Sequence, residues 1–157
     1  MKMTKIVRTT ADLFFPFCLV FGLYVVIHGH LTPGGGFQGG AVMATGTALL
    51  LVARAYDDIT GRIRKTALKV CEATGLMMFL LAGLSGIFKG LPFMANWMAA
   101  TGKLFGTPVP FGPNPGDLNT AGLLPLLNVG VGIEVLGGLT IILLYMLSGI
   151  KDPEKKP

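Results

Sequence analysis

Four long apolar runs dominate the sequence: Leu13 to Ile27, Phe37 to Ala55, Leu68 to Phe88 and Gly122 to Met146. Each, with its flanks, is long enough to cross a hydrocarbon core of about 30 Å as a helix. A bilayer interior offers no water to backbone N–H and C=O groups, so each span must satisfy them internally, which selects helices over open strands. With 52% hydrophobic and 13% charged residues among 157, the chain also lacks the polar surface that a water-soluble globule of this size needs. The reading is an all-α integral membrane protein of the cell membrane, multi-pass. It forms a single membrane domain over 1–157, with spans near 11–30, 36–56, 68–89 and 121–148. A Pro/Gly-rich outer loop, 90–120, joins helices 3 and 4, where Pro92, Pro108, Pro110, Pro113 and Pro115 bar a continuous helix. Its first half sets Phe93, Trp97, Ala100 and Leu104 at helical spacing, which predicts a short interfacial helix with Trp97 at headgroup level.

The net charge of +5 raises the question of nucleic acid, but the positions of the charges answer it. Lys2, Lys5 and Arg8 precede span one; Arg54, Arg62, Arg64, Lys65 and Lys69 follow span two; Lys151, Lys155 and Lys156 follow span four. Four spans put these three segments on one side, with Lys89 and Lys103 on the other, and the positive-inside rule makes the basic side cytoplasmic. Both termini are therefore expected in the cytoplasm, and no nucleic-acid partner is expected. The basic start resembles a signal peptide, yet no small-residue cleavage site follows, so the first run reads as a retained span. Pro16 within it predicts a kink or the true helix start. Cys18 and Cys71 lack CxxC spacing and read as packing residues.

Small residues recur at helical intervals, where another backbone can approach closely. Span two presents Gly36, Gly40 and Ala44; span three Ala82, Gly86 and Gly90; span four Gly130 and Gly138, with Glu134 between them on the same face.

Five residues are candidates for an ion path: Glu134, His28, His30, Glu72 and Asp12. Glu134 lies near the centre of span four, where an ionised side chain costs at least ~2.5–3.5 kcal/mol. It must be neutral, paired or turned to a wet protein interior. A protonated glutamate bonded to a neighbouring helix and a group that moves cations or protons both satisfy that demand. Asn128, about 240° away around the helix, is not expected to share its face. Asp12 and Glu72 sit near the cytoplasmic ends of their spans, with Arg8 and Lys69 in ion-pair reach, so local pairing is expected of each. His28 and His30 would point about 200° apart on a helix and converge on a metal only in an extended chain. With no carboxylate or cysteine near them in sequence, no metal is expected. Their imidazoles suit a loop carbonyl, a neighbouring subunit or the mouth of a proton path.

The stretch HGHLTPGGGFQGG, from His28 to Gly40, contains a formal G-x-G-x-x-G at Gly34, Gly36 and Gly39, with Asp57 and Asp58 near the spacing of a ribose-binding acid. A dinucleotide site needs a strand before the glycines and an amphipathic helix after them. Two membrane-length apolar runs flank this one, so no cofactor is expected.

The run from His28 to Val42, with a span on either side and two more beyond, resembles the B subunit of Mrp-type multisubunit sodium/proton antiporters. The same subunit type recurs in archaeal respiratory complexes that carry an Mrp-like module, the membrane-bound hydrogenase and its sulfane-reductase relative. The residues that carry the likeness are Gly29, His30, Pro33, Gly34, Gly35, Gly36, Phe37, Gly39 and Gly40, expected to act in a structural turn and in packing. Gln38 stands where many bacterial members have an aliphatic residue, which tilts the reading toward the hydrogenase type. The resemblance implies a helical subunit with no catalytic centre of its own, partnered by other Mrp-type membrane subunits and by hydrogenase or sulfane reductase subunits, in a complex that exchanges Na+ for H+. A stand-alone antiporter and a purely structural assembly subunit are the alternatives.

Overall fold

The computed structural model describes residues 3–54, 59, 61, 63–99, 101–109 and 116–148. Lys2, Ala55, Asp57, Asp58, Arg62, Ala100, Pro110, Pro113, Pro115, Lys151, Lys155 and Lys156 lie outside the described residues. Among those described, four helices are long and apolar enough to span a membrane: α1 (Lys5–Ile27), α2 (Gly36–Ala53), α3 (Lys65–Leu84) and α4 (Leu124–Ser148). The expected all-α class holds, and the described residues pair as β-structure only in one isolated bridge, Thr107 with Thr120.

Helix α1 begins well before Pro16, which lies inside it, and ends at Ile27 rather than residue 30. Thr4 caps its start, accepting the Val7 N–H at 3.5 Å, so the proline neither starts nor ends the helix. Helix α3 ends at Leu84 and passes through a single 3-10 turn, Ile87–Lys89, which Gly90 closes in the left-handed region at φ 74°.

Helix α2 sits between α1 and α4, while α3 packs chiefly on the far side of α4. The order across the bundle is therefore α1, α2, α4, α3. Three glycine contacts set it. A methyl group on Gly39 would come within 2.5 Å of the Gly22 carbonyl oxygen of α1. One on Gly36 would come within 2.2 Å of the Asn128 carbonyl oxygen of α4, and one on Gly40 within 2.7 Å of that of Gly132. The expected spacing of Gly36 and Gly40 thus faces α4, and Ala44 is buried. On α3 the expected seam of Ala82, Gly86 and Gly90 does not form between helices. A methyl on Gly86 would meet Pro92 and Ala95 of the loop, one on Gly90 would meet nothing within 4 Å, and the contact with α4 is made by Gly75 instead.

The loop between α3 and α4, expected on the outer side, contains no helix over the described part of 93–104. Met94 and Phe105 take positive φ values of 62° and 61°, which interrupt the right-handed helical path that the spacing of Phe93, Trp97, Ala100 and Leu104 suggested. Side chains hold the loop down. Asn96 donates to the Ala121 carbonyl at 2.9 Å and accepts the Leu123 N–H at 2.8 Å, fixing the entry to α4. Trp97 donates its indole N–H to Ser85 at 2.9 Å, and the Lys89 ammonium lies 4.3 Å from the centre of the Trp97 ring.

Gly36→Val, which forces a branched side chain into the α4 backbone, is expected to lower bundle stability by about 1–3 kcal/mol or more. Val52→Ala, on an exposed position, should leave it nearly unchanged. Unfolding of both variants in detergent, followed by helical signal, checks the contrast.

Candidate functional site

The glycine stretch is a turn built around a polar group from another span. The chain leaves α1 at His28, whose carbonyl accepts the Leu31 and Thr32 N–H groups at 2.9 and 3.1 Å. Gly34 then adopts φ 153°, a conformation that side chains disfavour. Gln38 accepts the Gly35 N–H at 2.9 Å and so satisfies one orphan donor at the start of α2. Asn128 of α4 reaches into the same turn, where its Oδ1 accepts the Gly36 N–H at 3.5 Å. A side chain on Gly29 would collide with the Asn128 amide, 2.9 Å from Nδ2, and with Gly35. Gly36, Gly39 and Gly40 are buried, whereas Pro33 and Phe37 face outward.

The five ion-path candidates fall in three places. His28 and His30 stand beside this turn, at the end of the bundle where α1 stops and α4 starts, and diverge. The His28 ring stacks on Tyr24, centroids 4.1 Å apart, with Nδ1 3.0 Å from the Tyr24 carbonyl oxygen. His30 borders an apolar cavity of about 250 Å³ between the end of α1, the start of α4 and the loop that joins α3 to α4. Neither of its buried ring nitrogens makes a hydrogen bond of ordinary geometry among the described residues. Burial pushes the His30 imidazole below its ordinary value, and the neighbouring His28 adds to this; the backbone of Ile27 and Leu118, and Asp117, act the other way.

Asp12 lies toward the opposite end of the bundle. Its expected partner was Arg8, one turn away, but the pair it forms is with Arg54, which follows the last residue of α2. Both Arg54 nitrogens Nε (3.0 Å) and Nη2 donate to the carboxylate, and the planar fork fits two oxygens across a helix pair.

Glu134 and Glu72 come together on the seam between α4 and α3. A methyl on Gly75 would lie 2.5 Å from the Glu134 nitrogen and 2.8 Å from its Cβ, so α3 has no side chain where Glu134 crosses it. A methyl on Gly138 would touch Glu72 Oε1 at 3.6 Å, which sets the Glu72 carboxylate against α4. Glu134 and Gly138 are one turn, about 6 Å, apart along α4, so the Glu72 carboxylate meets α4 about one turn from Glu134. Gly130, one turn to the other side of Glu134, meets Gly75 and Met78, as its shared face implied. Both acids are half-buried. Among the described residues neither forms an ion pair or hydrogen bond, and Lys69 does not close on Glu72 as expected.

Sequence reasoning passed over Gln38 as a cap, although a Gln three residues into a Gly-led helix is a recognisable signal. It set Asn128 aside because it was compared with Glu134, when its partners were in the turn before α2.

Residues 6–141 match the family described as a domain related to the MnhB subunit of the Na+/H+ antiporter. The chain belongs to this MnhB-related family. An uncharacterized protein of Methanocaldococcus jannaschii is 37% identical over 123 residues, covering 78% of this chain and 44% of that protein. The B-type Na(+)/H(+) antiporter subunit of Bacillus subtilis is 31% identical over 91 residues, 58% of this chain and 63% of that one. Among solved structures, the membrane-bound sulfane sulfur reductase, an archaeal respiratory membrane complex, contains a chain that is 31% identical with a TM-score of 0.72. That match covers 94% of this chain and 59% of the other. This MnhB-related chain thus spans less than two thirds of the length of these relatives. All five candidates fall within the matched residues.

A His whose folded value is depressed favours the neutral ring, so its contribution to stability is intact above about pH 6.5 and is lost as pH falls below it. Bundle stability is expected to drop between pH 7 and 5, and His30→Leu should flatten that part of the curve. Melting temperature against pH for both chains checks it.

Proposed function

We propose that this MnhB-related chain is a non-catalytic membrane subunit of an Mrp-type sodium/proton antiport module, with both termini in the cytoplasm and Glu134 on or beside the ion route. The observation that supports this is the α3–α4 seam. A carboxyl group at mid-membrane, half-buried over Gly75 and with no ionic partner among the described residues of its own chain, is costly to keep for packing alone. Beside a second carboxyl group one turn away, it can bind a proton or Na+ and release it again. Asp12, held by Arg54, and His30, in an apolar cavity, are less suited to carry ions.

The parent favoured here is an energy-converting respiratory complex. A chain of the archaeal sulfane reductase, a respiratory membrane complex, is 31% identical and matches 94% of this sequence in structure, which supports that reading. Subunits of the antiport module, together with a reductase or hydrogenase, are the partners this implies, and Na+ and H+ the transported species.

Glu134→Gln, introduced into the assembled complex, is expected to cut sodium-dependent proton movement at least several-fold while leaving subunit composition unchanged. Normal transport by a normally assembled variant removes Glu134 from the route. Loss of assembly together with transport points instead to the purely structural role. Mass spectrometry of the chains that co-purify in mild detergent distinguishes a respiratory parent from a stand-alone antiporter.

A further inference from the structure

Among the described residues, the cavity at the outer end of the bundle is lined by a single polar side chain. Ile27, Phe105, Leu118, Pro125, Leu126 and Val129 line it with hydrocarbon, and His30 supplies a ring whose nitrogens are buried without hydrogen bonds of ordinary geometry among the described residues. A neutral imidazole carries one donor and one acceptor, and leaving either buried and unmet is costly. Water is a poor occupant of about 250 Å³ with so few polar partners, since an ordered water needs two to four. The rim is apolar as well: Ile27, Leu118 and Leu126 are each 37–38% exposed, so the mouth opens between large hydrocarbon side chains. Its depth is fixed by its neighbours. His30 follows the last residue of α1 by one turn, and the Lys89–Trp97 pair at the same end is of the kind that marks a membrane boundary.

We propose that this cavity is a membrane-lipid site, in which one hydrocarbon chain fills the apolar space and an oxygen at the glycerol end of the lipid accepts the N–H of His30. The occupant has the required form, an apolar body with a single acceptor at one end, at the depth where bilayer lipids place their glycerol oxygens. Asn128 and the glycine turn lie directly beside the site, so a bound lipid would brace the junction of α1, α2 and α4.

The test places the parent complex in phosphatidylcholine vesicles doped with a phosphatidylcholine carrying a diazirine on its acyl chain near the ester. After irradiation, adducts are located by peptide mass spectrometry. Adducts on Phe105, Leu118 or Val129 should exceed those on Phe17, an exposed position on α1, and should survive detergent washing. Val129→Trp and Leu118→Trp, which fill the cavity from a helix and from the loop, should each lower them several-fold. His30→Leu should lower them more than His30→Gln, which keeps a hydrogen-bond donor. Labelling no stronger than at Phe17, labelling indifferent to the filling variants, or cavity adducts replaced by cross-links to a neighbouring subunit each overturns the proposal.

Discussion

Inside a bilayer the tails around a helix are as apolar as its own leucines, so burying hydrocarbon gives no reason for helices to associate. Close approach of backbones does, and here it depends on glycines that carry no Cβ. Gly39 against Gly22, Gly36 and Gly40 against the α4 backbone, and Gly75 against Glu134 join the four helices. Asn128 adds the polar contact that fixes the register, because it meets Gly29, Gly35 and Gly36 at once. The glycine-rich stretch between the first two spans is therefore an assembly device. The pattern that resembles a nucleotide loop is a result of packing demand at a sharp turn.

The same closeness shapes the α3–α4 seam. Were Gly75 larger, α3 would stand away from α4 and Glu72 would not reach Gly138. With Gly75 in place, two carboxyl groups share one interhelical surface, away from the Asp12–Arg54 pair. An acid that serves structure alone would be expected to hold a partner, as Asp12 does. The absence of one within this chain, among the described residues, is what sets Glu134 and Glu72 apart from Asp12 and carries the proposed role in ion movement.

Fold class and the small-residue seams of α2 and α4 were legible because hydrophobic run length and four-residue spacing are local properties. The face shared by Gly130, Glu134 and Gly138 could be read from spacing alone. The partner of that face could not. Gly75 has no glycine one turn away, the next in α3 being Gly83, and only the antiparallel register of α3 on α4 gives it meaning. Arg54 for Asp12 was out of reach for a similar reason, since a one-turn rule sees Arg8 and misses a residue forty-two positions away. The loop helix failed differently. The spacing of Phe93, Trp97 and Leu104 was helical, but positive φ at Met94 and Phe105, with the ties from Asn96 and Trp97, gave the chain another way to satisfy its polar groups.

The central physical claim is that Glu134 is an accessible, exchangeable carboxyl group within the membrane. Treating the assembled complex with a hydrophobic carbodiimide, which reacts with protonated carboxyl groups in apolar surroundings, and locating the adduct by mass spectrometry addresses it directly. Modification of Glu134 that slows as sodium is added is the expected result. A Glu134 that stays unmodified, or reacts at the same rate with and without sodium, contradicts it.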